Sequence, residues 1–102
     1  DKPAQPCLAS RIPFGEEISS KRLEQIALAE EWIINQGFSK VRVRSQGLSA
    51  RIELPANEID IFLKSIERNK LIKYFLFLGF NSISIDLEGL ISGKLTRDIK
   101  KA

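Results

Sequence analysis

Apolar residues recur along the chain with two different spacings, and the spacing changes from one segment to the next. From Ser19 or Ser20 to about Asn35 the spacing is helical, which predicts an amphipathic helix with a serine N-cap and Gly37 just beyond its end. The apolar residues of this helix face are Leu23, Ile26, Ala27, Ile33 and Ile34. Glu30 lies in the middle of the same face, where charged side chains are rare.

The next two segments alternate apolar and polar residues, which is the pattern of half-buried strands. They are Val41–Arg44 and Ala50–Leu54, and the glycine-containing pair Gln46-Gly47 lies between them, so a β-hairpin is predicted. A period of two sends the apolar side chains to one face and the polar side chains to the other. The charged residues of the polar face are Arg42, Arg44, Arg51 and Glu53. In a paired hairpin these four side chains can meet.

Helical spacing returns from about Asn57 to Gly79, with a break expected at Arg68-Asn69. The apolar positions of this stretch are Ile59, Phe62, Leu63, Ile66, Leu71, Ile72, Phe75 and Leu76. Alternation resumes over residues 83–87, which predicts a final strand. Helical and strand patterns thus alternate along the chain, as in a mixed domain.

The first eighteen residues, with three prolines before position 14, are expected to form an extended segment or loop. A short strand over Leu8–Ile12 would complete the order βαββαβ of ferredoxin-like domains. Without that strand, we expect a small antiparallel sheet with helices on one face. Both alternatives belong to the α+β class.

A chain of 102 residues is expected to form one domain with a modest core. The net charge of +3 is spread among interspersed acids and bases, which suits an anionic ligand but is not the basic stripe of a nucleic-acid-binding protein. The sequence has no apolar stretch of membrane-spanning length and no signal peptide. Its single cysteine fits a reducing compartment. We therefore expect a cytoplasmic protein that binds neither nucleic acid nor membranes.

Cys7 is the single cysteine, and it belongs to the densest motif of the sequence, Pro6–Gly15. Arg11 follows four residues later and can reach back toward the sulfur if the segment coils. A nearby guanidinium favours the thiolate, which is the reactive form. The alternative is a buried cysteine that packs as a small apolar residue, and composition alone favours that alternative.

Three further charged residues are candidates for a binding site. Glu30 either escapes at the edge of its helix or faces a site where it binds a metal ion, an arginine or substrate, since an unpaired buried carboxylate is costly. Arg42 and Arg44 share a strand face and suit a phosphate or carboxylate group. In the alternative, they form a solvated surface paired with Glu53.

The motif at Pro6–Gly15 resembles the signature that opens the C-terminal domain of the ATP-dependent sacrificial sulfur transferases, the LarE type of the PP-loop ATP pyrophosphatase superfamily. The resemblance continues in the same order over nearly the whole chain. The further matching segments are Ala29–Trp32, Gly37-Phe38, Val41–Arg44, Ala50–Glu53, Leu78–Phe80, Asp86–Gly89 and Ser92-Gly93. The cysteine motif and the Arg42–Arg44 pair are its most specific parts.

The resemblance implies a single C-terminal sulfur-transfer domain, with a cysteine loop at residues 1–18, an α+β core at 19–95 and a tail at 96–102. ATP and Mg would be bound by an N-terminal domain absent from this chain, because the chain has no Ser-Gly-Gly-x-Asp-Ser loop. A first residue Asp1 and the lack of methionine also indicate a fragment. We expect the fragment to be inactive and the full-length enzyme to be a homo-oligomer.

In this family the enzyme adenylates a carboxylate of a pyridinium mononucleotide, and a cysteine thiolate displaces AMP. Elimination leaves a thiocarboxylate for a nickel-pincer cofactor and dehydroalanine in the protein. The resemblance implies that Cys7 is this cysteine, and a lone cysteine argues against an iron–sulfur cluster. The residues implied to bind the phosphate-bearing substrate are Ser10, Arg11, Arg42 and Arg44. Glu30 and Glu53 are implied to bind a divalent metal.

The sequence departs from the family pattern at a few positions. Gln46 replaces a common histidine, and the usual aromatic, arginine, serine and asparagine residues around the Ser-Gly turn are replaced by Leu90, Ile91, Lys94 and Thr96. These changes bear on the identity of the substrate. Two alternatives from other classes remain, namely a non-catalytic anion- or nucleotide-binding domain and an oligomerisation domain.

Overall fold

The computed structural model describes residues 8–91, and Cys7 therefore lies outside the described residues. Its helices are α1 (Ser20–Ile34), α2 (Ile59–Ser65) and α3 (Arg68–Leu78), and its strands are β1 (Arg42–Gln46), β2 (Ser49–Glu53) and β3 (Ser82–Ile85). Two 3-10 turns precede α1 and α2, at Leu8–Arg11 and Ala56–Glu58. Within residues 8–91, no helix has both the length and the apolar character that crossing a membrane requires.

The three strands form one sheet in the order β1-β2-β3. β1 and β2 are the predicted antiparallel hairpin, with Val43 opposite Ile52. β3 instead runs parallel to β2, with Ile52 opposite Ile85, because α2 and α3 carry the chain back along the sheet before β3 begins. The predicted α+β class is confirmed, and the sheet is mixed rather than purely antiparallel.

A first strand at Leu8–Ile12 is not formed, since Leu8–Arg11 is a 3-10 turn. The ferredoxin-like order is therefore absent from the described part of the chain. Side chains of α1 contact the outer edge of β1. Glu30 accepts a hydrogen bond from the Val43 N–H, and Arg22 donates one to the Ser45 carbonyl oxygen.

The core lies between the apolar face of the sheet and the three helices. The sheet-side residues predicted to be buried are all buried, namely Val41, Val43, Ala50, Ile52 and Leu54. They pack against Ala29 and Ile33 of α1 and against Phe62 and Phe75 of α2 and α3. Phe38 and Phe62 meet edge to face, with ring centroids 5.1 Å apart. This packing leaves the polar face of the sheet on the other side.

The helix ends follow local sequence signals. The Ser19 hydroxyl accepts a hydrogen bond from the Arg22 N–H at 3.1 Å and caps α1 as predicted. Gly79 ends α3 with a φ of 115°, a left-handed conformation that favours glycine. The break between α2 and α3 falls at Ile66, where the backbone is extended, slightly before the predicted position.

Candidate functional site: an arginine-lined cleft

A cleft of about 1120 Å³ lies over the polar face of the sheet. Register places Arg42 opposite Glu53 and Arg44 opposite Arg51, so the four charged hairpin residues share one face, as the alternation predicted. Residues 10–14, which end the first 3-10 turn and follow it, also line the cleft. The β3 strand and the segment after it contribute Ser84, Asp86, Leu90 and Ile91.

Positive charge exceeds negative charge in the lining of the cleft. Four arginines and two carboxylates contribute to it. They are Arg11, Arg42, Arg44, Arg51, Glu53 and Asp86. Guanidinium groups present several N–H donors in a planar fork that matches phosphate and carboxylate oxygens. The cleft is therefore suited to an anionic ligand.

Glu53 is buried and holds two of these arginines. Its Oε1 accepts a hydrogen bond from Arg44 Nε at 3.0 Å, and its Oε2 accepts from Arg51 Nη2 at 3.1 Å. Arg51 Nε also lies 3.5 Å from Asp86 Oδ2. The carboxylates thereby fix the directions of Arg44 and Arg51 and offset part of their charge.

Arg42 differs from the other cleft arginines, because no carboxylate within residues 8–91 forms an ion pair with it. Its described hydrogen bond runs from Nη1 to the carbonyl oxygen of the preceding residue, Val41, at 2.9 Å. Arg42 is half-buried and lines the cleft. Because no carboxylate of the described residues pairs with it, Arg42 is the strongest candidate in the described cleft for contact with an anion.

Glu30 and Arg11 form a buried ion pair between α1 and the first 3-10 turn. The side chains are 2% and 4% exposed, respectively. Arg11 donates from Nε to Glu30 Oε2 at 2.9 Å and from Nη2 to Glu30 Oε1 at 3.1 Å. The Val43 N–H donates to the same Oε2 at 2.8 Å. Glu30 thus does not escape at the edge of its helix, and of the partners considered for it, a metal ion, an arginine or substrate, the described residues supply an arginine, Arg11.

Ser10 is exposed and contacts both Arg11 and Arg44. Its hydroxyl accepts a hydrogen bond from Arg11 Nη1, and its carbonyl oxygen accepts one from Arg44 Nη1, each at 3.4 Å. The four residues predicted to bind substrate, Ser10, Arg11, Arg42 and Arg44, thus line one cleft. Their contact with a substrate stays a prediction.

The carboxylates of Glu30 and Glu53 bind guanidinium groups on both of their oxygens. Between residues 8 and 91, no three or more histidine, cysteine, aspartate or glutamate side chains gather in a group that could hold a metal ion. Within residues 8–91, the surroundings of these two carboxylates are guanidinium groups, which do not suit a resident divalent cation. A metal site completed by residues outside this range stays a prediction.

Sequence reasoning did not assign Asp86 and Arg22 to this region. Asp86 reaches Arg51 because β3 lies parallel to β2, which local alternation does not predict. Arg22 donates to Ser45 and also pairs with Glu16 at 3.0 Å. The Gly47 N–H that donates to Glu16, helped by Arg22, holds the pKa of that carboxyl below its ordinary value. No local signal indicated these long-range contacts.

No protein-family model matches the chain. An uncharacterised protein of Synechocystis sp. is 46% identical over 101 residues, which is 99% of this chain and 38% of that protein. An uncharacterised protein of Methanocaldococcus jannaschii is 35% identical over 86 residues, covering 84% of this chain and 33% of that protein.

The pyridinium-3,5-bisthiocarboxylic acid mononucleotide synthase of Lactiplantibacillus plantarum is 33% identical over 102 residues, which is 100% of this chain and 36% of the synthase. The chain spans about a third of the length of the curated relatives it matches. The chain is thus related, from end to end, to one part of this synthase, and the relationship supports the LarE-related family that the motif at Pro6–Gly15 predicts.

Proposed function

We propose that this chain is the sulfur-transfer domain of an ATP-dependent sulfur transferase, in which the Cys7 sulfur passes to a carboxylate of a pyridinium mononucleotide. One observation of the structure carries the proposal. Residues 10–14, which follow Cys7 closely in the chain, line the same cleft as Arg42 and Arg44. A segment next to the thiol and a pair of anion-binding side chains thus share one cleft.

The name of the Lactiplantibacillus plantarum relative fits this chemistry, since it specifies a thiocarboxylic acid product on a mononucleotide. A mononucleotide carries a phosphate group, which Arg42 suits because its charge is not offset by a carboxylate of the described residues. Glu53 holds Arg44 and Arg51 in place around the same ligand. The cleft residues therefore bind and orient the substrate.

The proposed reaction has two steps in this domain. The Cys7 thiolate attacks the carbonyl carbon of an acyl adenylate, and AMP leaves with the electron pair of the C–O bond, giving a thioester. A base then removes the Cα proton of Cys7, and the electron pair of the Cβ–S bond leaves with sulfur. The products are a thiocarboxylate and a dehydroalanine at position 7. Another part of the longer enzyme makes the acyl adenylate from ATP.

Mass spectrometry of the full-length protein tests the proposal. After incubation with ATP, Mg and pyridinium-3,5-biscarboxylic acid mononucleotide, we expect the peptide that contains Cys7 to lose the mass of one hydrogen sulfide molecule as thiocarboxylate forms. A Cys7→Ser variant is expected to form none. Thiocarboxylate production with an unchanged Cys7 peptide would place the sulfur source elsewhere. An unreacted protein that still binds the mononucleotide would favour the non-catalytic binding domain.

We expect Arg42→Ala to weaken the binding of nicotinic acid mononucleotide to the full-length protein by about 1.5–3 kcal/mol, the scale of hydrogen bonds to charged groups. Calorimetric titration measures this loss. Thermal stability should stay nearly unchanged, because Arg42 forms no ion pair with a described carboxylate. Lys40→Ala is the control, since it removes an equal charge from an exposed residue outside the cleft lining. Equal affinities for the two variants would show that Arg42 does not bind the phosphate.

A further inference from the structure

The Glu30 carboxylate joins the two halves of the proposed site. On one side it binds Arg11, which lies in the 3-10 turn that begins one residue after Cys7. On the other side it accepts the N–H of Val43, the residue between Arg42 and Arg44. A single buried side chain of α1 therefore connects the segment next to the cysteine with the strand that carries the anion-binding arginines.

The geometry of these contacts constrains direction as well as distance. Arg11 binds both Glu30 oxygens through two parallel hydrogen bonds, so the plane of the guanidinium is fixed against the carboxylate. Glu30 Oε2 accepts from Arg11 Nε and from the Val43 N–H at 2.9 and 2.8 Å. A buried ion pair is weak evidence for net stability. Here its two-point contact joins the 3-10 turn to α1 in one arrangement. This arrangement sets the 3-10 turn against β1.

We propose that Glu30 is a positioning residue, which acts through Arg11 and the Val43 N–H to hold the 3-10 turn Leu8–Arg11, which follows Cys7 in the chain, at a fixed place relative to Arg42 and Arg44. This inference rests on the proposed function. It assigns Glu30 a role other than metal binding, because a metal ligand would have to give up the donors that both of its oxygens now accept. The thiolate and the acyl carbon must approach within reacting distance, and a small displacement of either one slows the reaction strongly.

Glu30→Gln tests this role while preserving the shape of the side chain. The amide keeps one acceptor oxygen and replaces the other with an amino group, which cannot accept from Arg11. Glu31→Gln is the matched control, because Glu31 is the exposed neighbour on the same helix and the change in charge is identical. Arg11→Lys provides a second variant, which keeps the positive charge and loses the two-point contact.

Single-turnover loss of sulfur from Cys7 is measured in the full-length protein by mass spectrometry, at saturating nucleotide and per folded molecule. We expect Glu30→Gln and Arg11→Lys to lower this rate constant about ten- to a hundredfold, and Glu30→Gln to keep its affinity for nicotinic acid mononucleotide within about twofold of wild type. We also expect faster hydrogen exchange at Leu8–Ile12. Glu31→Gln is expected to match wild type in each measurement.

Four results would overturn the inference. One is a reduced melting temperature with an unchanged rate per folded molecule, since this indicates a merely structural role. Another is unchanged exchange at Leu8–Ile12. The third is wild-type behaviour of Glu30→Gln in an enzyme that does consume Cys7, which leaves the proposed function intact. The fourth is that the wild-type protein binds Mn²⁺ stoichiometrically and the Glu30→Gln variant does not. If wild type itself never consumes Cys7, the proposed function fails instead.

Discussion

Glu30→Ala is expected to lower the free energy of unfolding of this domain by about 3–5 kcal/mol, the cost of breaking a buried ion pair on one side. The substitution removes the carboxylate to which Arg11 donates twice and leaves the Val43 N–H without its described acceptor. Urea denaturation measures the loss. Glu31→Ala, at the exposed neighbouring position, is expected to stay within about 0.5 kcal/mol of wild type.

A double variant separates two contributions to this loss of stability: the cost of leaving Arg11 buried without its partner, and the loss of the contacts that Glu30 makes. Glu30→Leu combined with Arg11→Met replaces the ion pair with apolar side chains of similar length, and we expect it to be more stable than Glu30→Ala. The comparison uses the same urea denaturation. A Glu30→Ala domain that loses less than about 1 kcal/mol would contradict the buried environment of the pair. A double variant that is no better than Glu30→Ala would show that the Val43 contact dominates the loss.

Phe75→Ala is expected to cost about 3–5 kcal/mol, as large-to-small substitutions of core aromatic residues do. Phe75 is 0% exposed, and its ring centroid lies 5.8 Å from that of Phe80. Phe77 is two residues further along the same helix and is 82% exposed. Phe77→Ala is therefore the matched control, with an expected change within about 0.5 kcal/mol in this chain. Similar losses in both variants, measured by thermal or urea unfolding, would contradict the assigned core face of α3.

The parts of the fold that depend on local signals could be predicted from the sequence. The serine cap of α1, the hairpin and its buried face follow from side-chain periodicity and turn residues, which act over a few positions. The conformation of Leu8–Ile12 could not be predicted in this way. Arg11 lies 19 residues from Glu30, and the pairing between them appears only when α1 packs beside the segment. The parallel direction of β3 likewise depends on how α2 and α3 cross the sheet.

In the candidate site, too, the local features could be predicted from the sequence and the long-range contacts could not. Alternation alone places Arg42, Arg44, Arg51 and Glu53 on one face, and the register of the hairpin confirms it. The sequence does not indicate which of these arginines is neutralised, because that depends on the directions of long side chains in the folded cleft. Asp86 joins the cleft only through the position of β3 beside β2. The residue types were therefore predictable, whereas the distribution of charge among them was not.

The contacts that α1 makes with the outer edge of β1 also bear on aggregation. An open strand edge is a template for another chain, and edge-to-edge pairing between copies is a common route to insoluble protein. Here Glu30 accepts from the Val43 N–H and Arg22 donates to the Ser45 carbonyl oxygen, so two of the backbone groups that a foreign strand would need are already bound. Two charged side chains thus make part of this edge less available to a second copy of the chain.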